Sequence, residues 1–280
     1  MFGALGLGDK FLDAKEFGRV SLVTAGPINY AAASWGHTAL STEQGEVFLL
    51  GRPYDFSALL THNQFRNFNH WLARQLVLTS ALLDSKTTIY RTPRLLEEFL
   101  KVKVKSVHCS AALTAILTEK GQVYTMGNNR WGQCGVATYQ PRTTLEHATT
   151  PLSSQLIYEP SLVRAIMEPI QSMDLGLQHC VALSKNGRVY CWGKSDRGQL
   201  GCGSTDLARY DIPTRVDSLR DIVMVSAGFN HAAALSSKGQ VFVWGKGMSA
   251  EKKESKKGNF HNSNYIDIDI LSSSPSQSIH

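Results

Sequence analysis

The sequence predicts an all-β chain assembled from repeated β-hairpins. Three observations carry this. A short pattern recurs four times along the 280 residues. Each copy sets a glycine at a polar turn between two short runs rich in β-branched, aromatic and small apolar residues. Glycine is frequent, at 23 residues, and the repeat gives it a use.

The last copy is the clearest. It runs from Val225 through Gly228, His231 and the turn glycine Gly239 to Val-Phe-Val-Trp244-Gly245. The copy before it runs from Met173 through Gly176, His179 and Gly187 to Val-Tyr-Cys-Trp192-Gly193. In both, the histidine precedes the turn glycine by eight residues and Trp-Gly follows it by five and six. Two weaker copies surround Gly45 and Gly121. The first has His37 but Leu50-Gly51 in place of Trp-Gly; the second has Leu113 at the histidine position and ends on Met126-Gly127. The hairpins are expected near 31–51, 107–127, 173–193 and 225–245. Their turn glycines are 76, 66 and 52 residues apart, so the early copies carry insertions.

A second element follows two of the hairpins. Gly127-Asn-Asn-Arg-Trp-Gly132-Gln-Cys-Gly135 and Gly193-Lys-Ser-Asp-Arg-Gly198-Gln-Leu-Gly201 align without a gap. The start of the chain, Gly3-Ala-Leu-Gly6-Leu-Gly8, matches the end of that element, so the chain is expected to begin in mid-repeat.

These residues resemble the regulator-of-chromosome-condensation repeat family. Its signature is a hairpin with histidine, then Val-Tyr-x-Trp-Gly, then a Gly-Gln-Leu-Gly turn. The resemblance covers about residues 1–50 and 100–248, and Met126–Gly135 looks most like the mitochondrial members. It implies a β-propeller of about seven four-stranded blades. This sequence holds about four, so the propeller is expected to be open or incomplete. Either the chain is part of a longer product, or a second copy or a partner completes the ring.

Two stretches are expected to interrupt the repeats, at about 52–104 and 136–169. In the first, Phe65, Phe68, Leu72, Leu76 and Leu83 fall on one helical face, which predicts a helical insertion. Lys101-Val-Lys-Val-Lys105 alternates with period two and predicts a strand with one cationic face. The second stretch is rich in Thr, Ser and Pro and suits a surface loop. Residues 251–280, basic and then Ser-rich, read as a disordered tail.

The remaining chemistry is sparse. No run of 18 apolar residues reads as a membrane span. Five cysteines with no C-x-x-C pair argue for reduced thiols and an intracellular setting, against a disulfide scaffold or a zinc ribbon. The compartment is expected to be the mitochondrion by resemblance, or else the cytoplasm or nucleus. Gly193-Lys194-Ser195 misses a phosphate-binding loop, because Arg188 stands where its first glycine would be. His37, His179 and His231 share one repeat position and are expected to be hydrogen-bonding posts of the blades. No carboxylate pair, nucleophile motif or metal-ligand spacing stands out, so no catalytic residue, cofactor or metal is expected.

The family includes guanine-nucleotide exchange factors for small GTPases and scaffolds without that activity. The resemblance therefore implies a protein-interaction propeller, either exchange-factor-like or a non-catalytic scaffold for chromatin, RNA or ribosome-assembly factors, or other proteins. The net charge of +6 suits an acidic partner but does not by itself argue for nucleic acid. No motif for the family's exchange residues is visible. The candidate partner contacts are the loops after Gly127 and Gly193: Asn128, Asn129, Arg130 and Trp131, and Lys194, Ser195, Asp196 and Arg197. Loops on a rigid sheet scaffold carry function, and Arg and Trp are frequent hot spots.

Overall fold

Each turn glycine sits where the chain must reverse within four residues, and in each case a hydroxyl precedes it by three. A computed structural model describes residues 26–53, 90–136, 156–203 and 209–247, with a few isolated positions upstream. In it, Gly45, Gly121, Gly187 and Gly239 all adopt positive φ, between 72° and 95°. Thr42, Thr118, Ser184 and Ser236 each accept, through the side-chain oxygen, the backbone N–H four residues on, at 3.0–3.2 Å. One local device thus builds all four hairpins.

The hairpins grow into four antiparallel sheets. The first is β1 (Ile28–Ala33), β2 (His37–Thr42), β3 (Val47–Gly51) and β4 (Tyr90–Leu95). The second is β5 (Val104–Ser110), β6 (Leu113–Thr118), β7 (Val123–Asn128) and β8 (Leu156–Leu162). The third is β9 (Ile170–Leu175), β10 (His179–Ser184), β11 (Val189–Lys194) and β12 (Arg209–Arg215). The last has three described strands, β13 (Ile222–Ala227), β14 (His231–Ser236) and β15 (Val241–Gly245). Strands pair in sequence order throughout, and first strands of successive sheets touch, β1 with β5, β5 with β9 and β9 with β13. The sheets therefore follow one another as propeller blades.

The fourth strands β4 and β8 fall inside the two stretches read as insertions. Each of β4, β8 and β12 carries a proline, Pro93, Pro160 and Pro213, beside a break in the pairing register. Proline lacks an N–H and is tolerated on a sheet edge. The helical face of Phe65, Phe68, Leu72, Leu76 and Leu83 lies outside the described residues, as does the tail 251–280. The Lys101–Lys105 strand is corrected: β5 begins only at Val104. A 3-10 turn at Glu97–Phe99 reverses the chain first, and the Val102 N–H donates to the Phe99 carbonyl at 2.9 Å. Lys105 is the lysine on the strand, and its Nζ donates across to the Gln171 carbonyl of the next sheet at 2.7 Å.

Between successive sheets lie three cores. The first joins Leu49, Phe99, Val107 and Ile116; the second Leu113, Leu117, Cys180 and Trp192; the third Val181, Leu183, Ala232 and Trp244. The sandwiched strands β6, β10 and β11 are buried on both faces, apart from the half-buried Tyr190, so they read as near-continuous apolar runs. Burial raises the thiols of Cys109, to about 12, and of Cys134, Cys180 and Cys191. Cys134, Cys180 and Cys191 are buried and Cys109 is half-buried, and all five cysteines are free.

The histidines at the shared position are not equivalent. His37 is a post between blades: Nδ1 hydrogen-bonds Ser34 Oγ at 3.0 Å, and Nε2 hydrogen-bonds Thr114 Oγ1 of the next sheet at 2.9 Å. At His179 the position of Ser34 is taken by Gly176, and the ring lies over it, 2.0 Å from where a Cβ would stand. The residue matching Thr114 in the following sheet is Ala232, which has no hydroxyl. His179 is fully buried, and neither ring nitrogen has a well-formed hydrogen bond, so it is a packed ring and not a hydrogen-bonding post.

Burial lowers both histidines to about 4. In the unfolded chain they titrate near 6.5. Between those values the unfolded state binds more protons, so stability is held above about pH 6.5 and falls as the pH drops toward 4. Each ring contributes up to about 1.4 kcal/mol per pH unit in that window. Urea midpoints should decline from pH 7 to pH 4.5 while NMR shows both rings neutral in the folded chain. Rings that titrate near 6.5 in the folded state would contradict this.

Candidate partner-binding site

The two candidate loops start from the same backbone feature. At Gly127 (φ 125°) and Gly193 (φ 104°) the strand turns off the sheet, and the preceding turn crosses where a side chain would be. The next N–H closes the crossing. Asn128 donates to the Ala112 carbonyl at 2.7 Å and Lys194 to the Gln178 carbonyl at 2.9 Å.

In the first loop the polar side chains hold the backbone. Asn128 Oδ1 accepts the Arg130 N–H at 2.9 Å, and Asn129 Oδ1 accepts the Cys134 N–H at 3.0 Å. Gln133 Oε1 accepts the Trp131 N–H at 2.8 Å. The second loop repeats this with Gln199 Oε1 accepting the Arg197 N–H at 2.8 Å. Gln199 Nε2 also donates to Asp196 Oδ1 at 3.2 Å.

The same glutamines anchor the following blade through their main chains. The Gln133 carbonyl accepts the Trp192 indole N–H at 3.0 Å and the Cys180 thiol at 3.3 Å. The Gln199 carbonyl accepts the Trp244 indole N–H at 3.0 Å. The ring of Trp192 lies flush against Gly135, where a Cβ would stand 2.7 Å from the indole nitrogen. Each Gly-Gln-x-Gly turn is thus a latch for the tryptophan of the next blade. Gln133 and Gln199 were not singled out from the sequence, although their repetition at one spacing was the available signal.

The eight candidates divide by burial. Asn128, Asn129, Lys194 and Ser195 are buried, and serve the loop framework. Arg130 and Trp131 are half-buried; Asp196 and Arg197 are exposed. The structure brings the two loops together. The Lys194 ammonium lies 4.7 Å from the Trp131 ring centroid, and the Arg130 guanidinium 5.6 Å from it. Lys194 also pairs with Asp196 Oδ2 at 3.0 Å, and Arg197 Nε approaches the same oxygen at 3.9 Å. One aromatic ring therefore joins cations from two blades into a single polar surface. Lys194, the lysine of the phosphate-loop near miss, is held at the end of a strand by these contacts. Among the described residues no group of three or more His, Cys, Asp or Glu is placed to hold a metal ion. No helix among them is long and apolar enough to cross a membrane.

Comparisons agree with this architecture. The family model described as the regulator of chromosome condensation (RCC1) repeat matches residues 120–183 and 186–235, and a second model of the same description matches 170–199. The bovine secretion-regulating guanine nucleotide exchange factor is 27% identical over 253 residues, covering 87% of this chain and 46% of its own. The human regulator of chromosome condensation is 35% identical over 143 residues, covering 51% of this chain and 29% of its own. The chain thus spans less than half the length of these relatives. Among solved structures, yeast Prp20p (Saccharomyces cerevisiae) superposes with a TM-score of 0.57 at 21% identity, covering 81% of this chain and 47% of that one. Human WBSCR16 gives 0.58 at 21% identity, covering 81% and 51%. The repeated hairpin, the tryptophan latch and these matches have one common account: residues 120–183 and 186–235 are repeats of the RCC1 type.

Proposed function

We propose that the chain is a protein-interaction platform of the exchange-factor type, which engages a small GTPase through the surface of Arg130, Trp131, Asp196 and Arg197, held together from beneath by the buried Lys194. The observation that carries this is the contact of Lys194 with Trp131, which fuses two loops of successive blades into one rigid polar surface. Support comes from the bovine and mouse secretion-regulating exchange factors, whose likeness extends over 87% and 88% of this chain. Exchange needs no covalent step. A platform that binds the nucleotide-free GTPase better than the loaded one lowers the cost of nucleotide release. That fits a surface of fixed cations and an aromatic ring without a nucleophile. The likeness of residues 126–135 to mitochondrial members adds a mitochondrial setting to the proposal.

A scaffold role is the second reading. It draws on the net charge of +6 and on Prp20p, whose structure was reported with its binding to Gsp1p and histones. Pull-down from a panel of purified small GTPases, each stripped of nucleotide, separates the two. The full chain should retain at least one GTPase, and Arg130→Ala with Trp131→Ala should reduce retention about tenfold or more. Histone retention with every GTPase lost to the wash would favour the scaffold.

A further inference from the structure

Three segments arch over a hairpin end, each leading from the last strand of one sheet to the first strand of the next. Each is pinned at its start. The N–H groups of Leu96, Val163 and Val216 donate to the carbonyls of Val47, Val123 and Val189 at 2.8–2.9 Å. The second and third arches are pinned again at their ends, Ile170 to the Gly121 carbonyl at 2.9 Å and Ile222 to the Gly187 carbonyl at 3.3 Å. The residue three along plugs the first and third arches: Phe99 is 1% exposed and Leu219 2%. In the second arch that residue is Ile166, and it is only half-buried. This arch, from Val163 to Ile170, is one residue longer than the arch from Val216 to Ile222. Beside Ile166 it holds Met167, which is 92% exposed. A cavity of about 330 Å³ lies against this arch and the hairpin turn beneath it.

The lining is aliphatic and cationic. Val123, Leu162, Ile166 and Met167 supply aliphatic surface, and Lys120 and Arg164 line the cavity as exposed cations. Glu168 also lines it, but its charge is taken up within the fold. It accepts from the Tyr190 hydroxyl and from Asn186 Nδ2, the latter at 2.8 Å, and lies 3.6 Å from Arg188. Among the described residues no carboxylate pairs with Lys120 or Arg164. The cavity therefore sets aliphatic surface beside two uncompensated positive charges.

We propose that this cavity docks a short segment of a protein partner in which one bulky apolar side chain is flanked by acidic residues. The apolar side chain packs against Ile166 and Met167, where this arch lacks the buried plug of its neighbours, and the carboxylates meet Lys120 and Arg164. Methionine suits such a site because its flexible thioether adapts to what it covers. A nucleic acid would use the cations alone, since no aromatic ring lines the cavity among the described residues to stack a base. The cavity sits at the turn end of β6 and β7. Arg130 and Trp131 follow the other end of β7, about 17 Å away along the strand. The two sites share no residue, so the failure of either reading leaves the other standing.

NMR titration of the full chain, labelled at its methionine methyl groups, tests this with the peptide Glu-Asp-Phe-Asp-Glu at low salt. The Met167 methyl should shift saturably while that of the buried Met126 stays in place. Lys120→Glu with Arg164→Glu should weaken binding about tenfold or more, and so should serine in place of the peptide's phenylalanine. The replaced side chains are exposed, so the double variant should keep the wild-type urea midpoint. A Met167 methyl that does not respond overturns the proposal. Equal binding to wild type and the double variant overturns it, as does equal binding of the serine peptide, which would leave the cations acting alone. Tighter binding of Lys-Lys-Phe-Lys-Lys overturns the charge assignment and the proposal with it.

Discussion

Trp192→Ala should remove about 3–5 kcal/mol of stability, a large fraction of what a domain of this kind holds. The indole is fully buried between the second and third sheets, among Leu113, Cys134, Ile170 and Met173. Truncation leaves a cavity that the surrounding strands cannot fill, because β10 and β11 are held by their own ladders. It also removes the N–H bond to Gln133. That carbonyl keeps the Cys180 thiol as a donor, so the cavity is the larger part of the loss. Trp192→Phe keeps most of the ring and should cost much less. Urea denaturation of both variants checks this. Equal losses would mean that the hydrogen bond, and not the packed ring, holds the blades together.

Gly193→Ala should cost about 3–5 kcal/mol, through strain and collision together. Its φ of 104° lies beyond the left-handed helical region, where side chains are costly. An alanine Cβ there would stand 2.5 Å from the Gln178 carbonyl oxygen and 2.9 Å from the His179 Cα. Both are backbone atoms and cannot rotate away. Gly198 provides the control within the same loop. Its φ is 71°, and nothing lies within 4 Å of a Cβ there. Gly198→Ala should therefore cost about 1 kcal/mol. If the two substitutions cost the same, the crossing at Gly193 does not constrain the loop in solution.

The repeat made the second and third strands of every blade legible, because the turn glycine and the glycine six residues after it recur in all four copies as local signals. The fourth strands were hidden. They contain proline, which argues against a strand in isolation, and β4 and β8 follow long excursions. Their prolines share one register, but that register shows only once the pairing with β3, β7 and β11 is known. Lys101–Lys105 misled for a related reason, since its alternation begins in the turn that follows the 3-10 residues Glu97–Phe99 and reaches only the first residues of β5.

At the candidate site the position of the loops was legible and the division of labour was not. Asn128, Asn129, Lys194 and Ser195 are polar loop residues, which read as exposed. Asn128 and Asn129 are buried because backbone N–H groups need their oxygens, and Lys194 because its ammonium rests on Trp131 and Asp196. The contact of Trp131 with Lys194 spans two blades, so no reading of one repeat could find it. Likewise, a shared histidine position did not imply a shared role. The hydroxyls of Ser34 and Thr114 make His37 a hydrogen-bonding post, and Gly176 and Ala232 deny that role to His179.

The most direct test of the account is the rate of nucleotide release. Small GTPases loaded with a fluorescent guanine nucleotide would be mixed with the full chain, with excess unlabelled nucleotide present. The account predicts accelerated release from at least one of them, lost when Arg130 and Trp131 are both replaced by alanine. A chain that binds a GTPase but leaves its release rate unchanged would contradict it, and would make the propeller a scaffold.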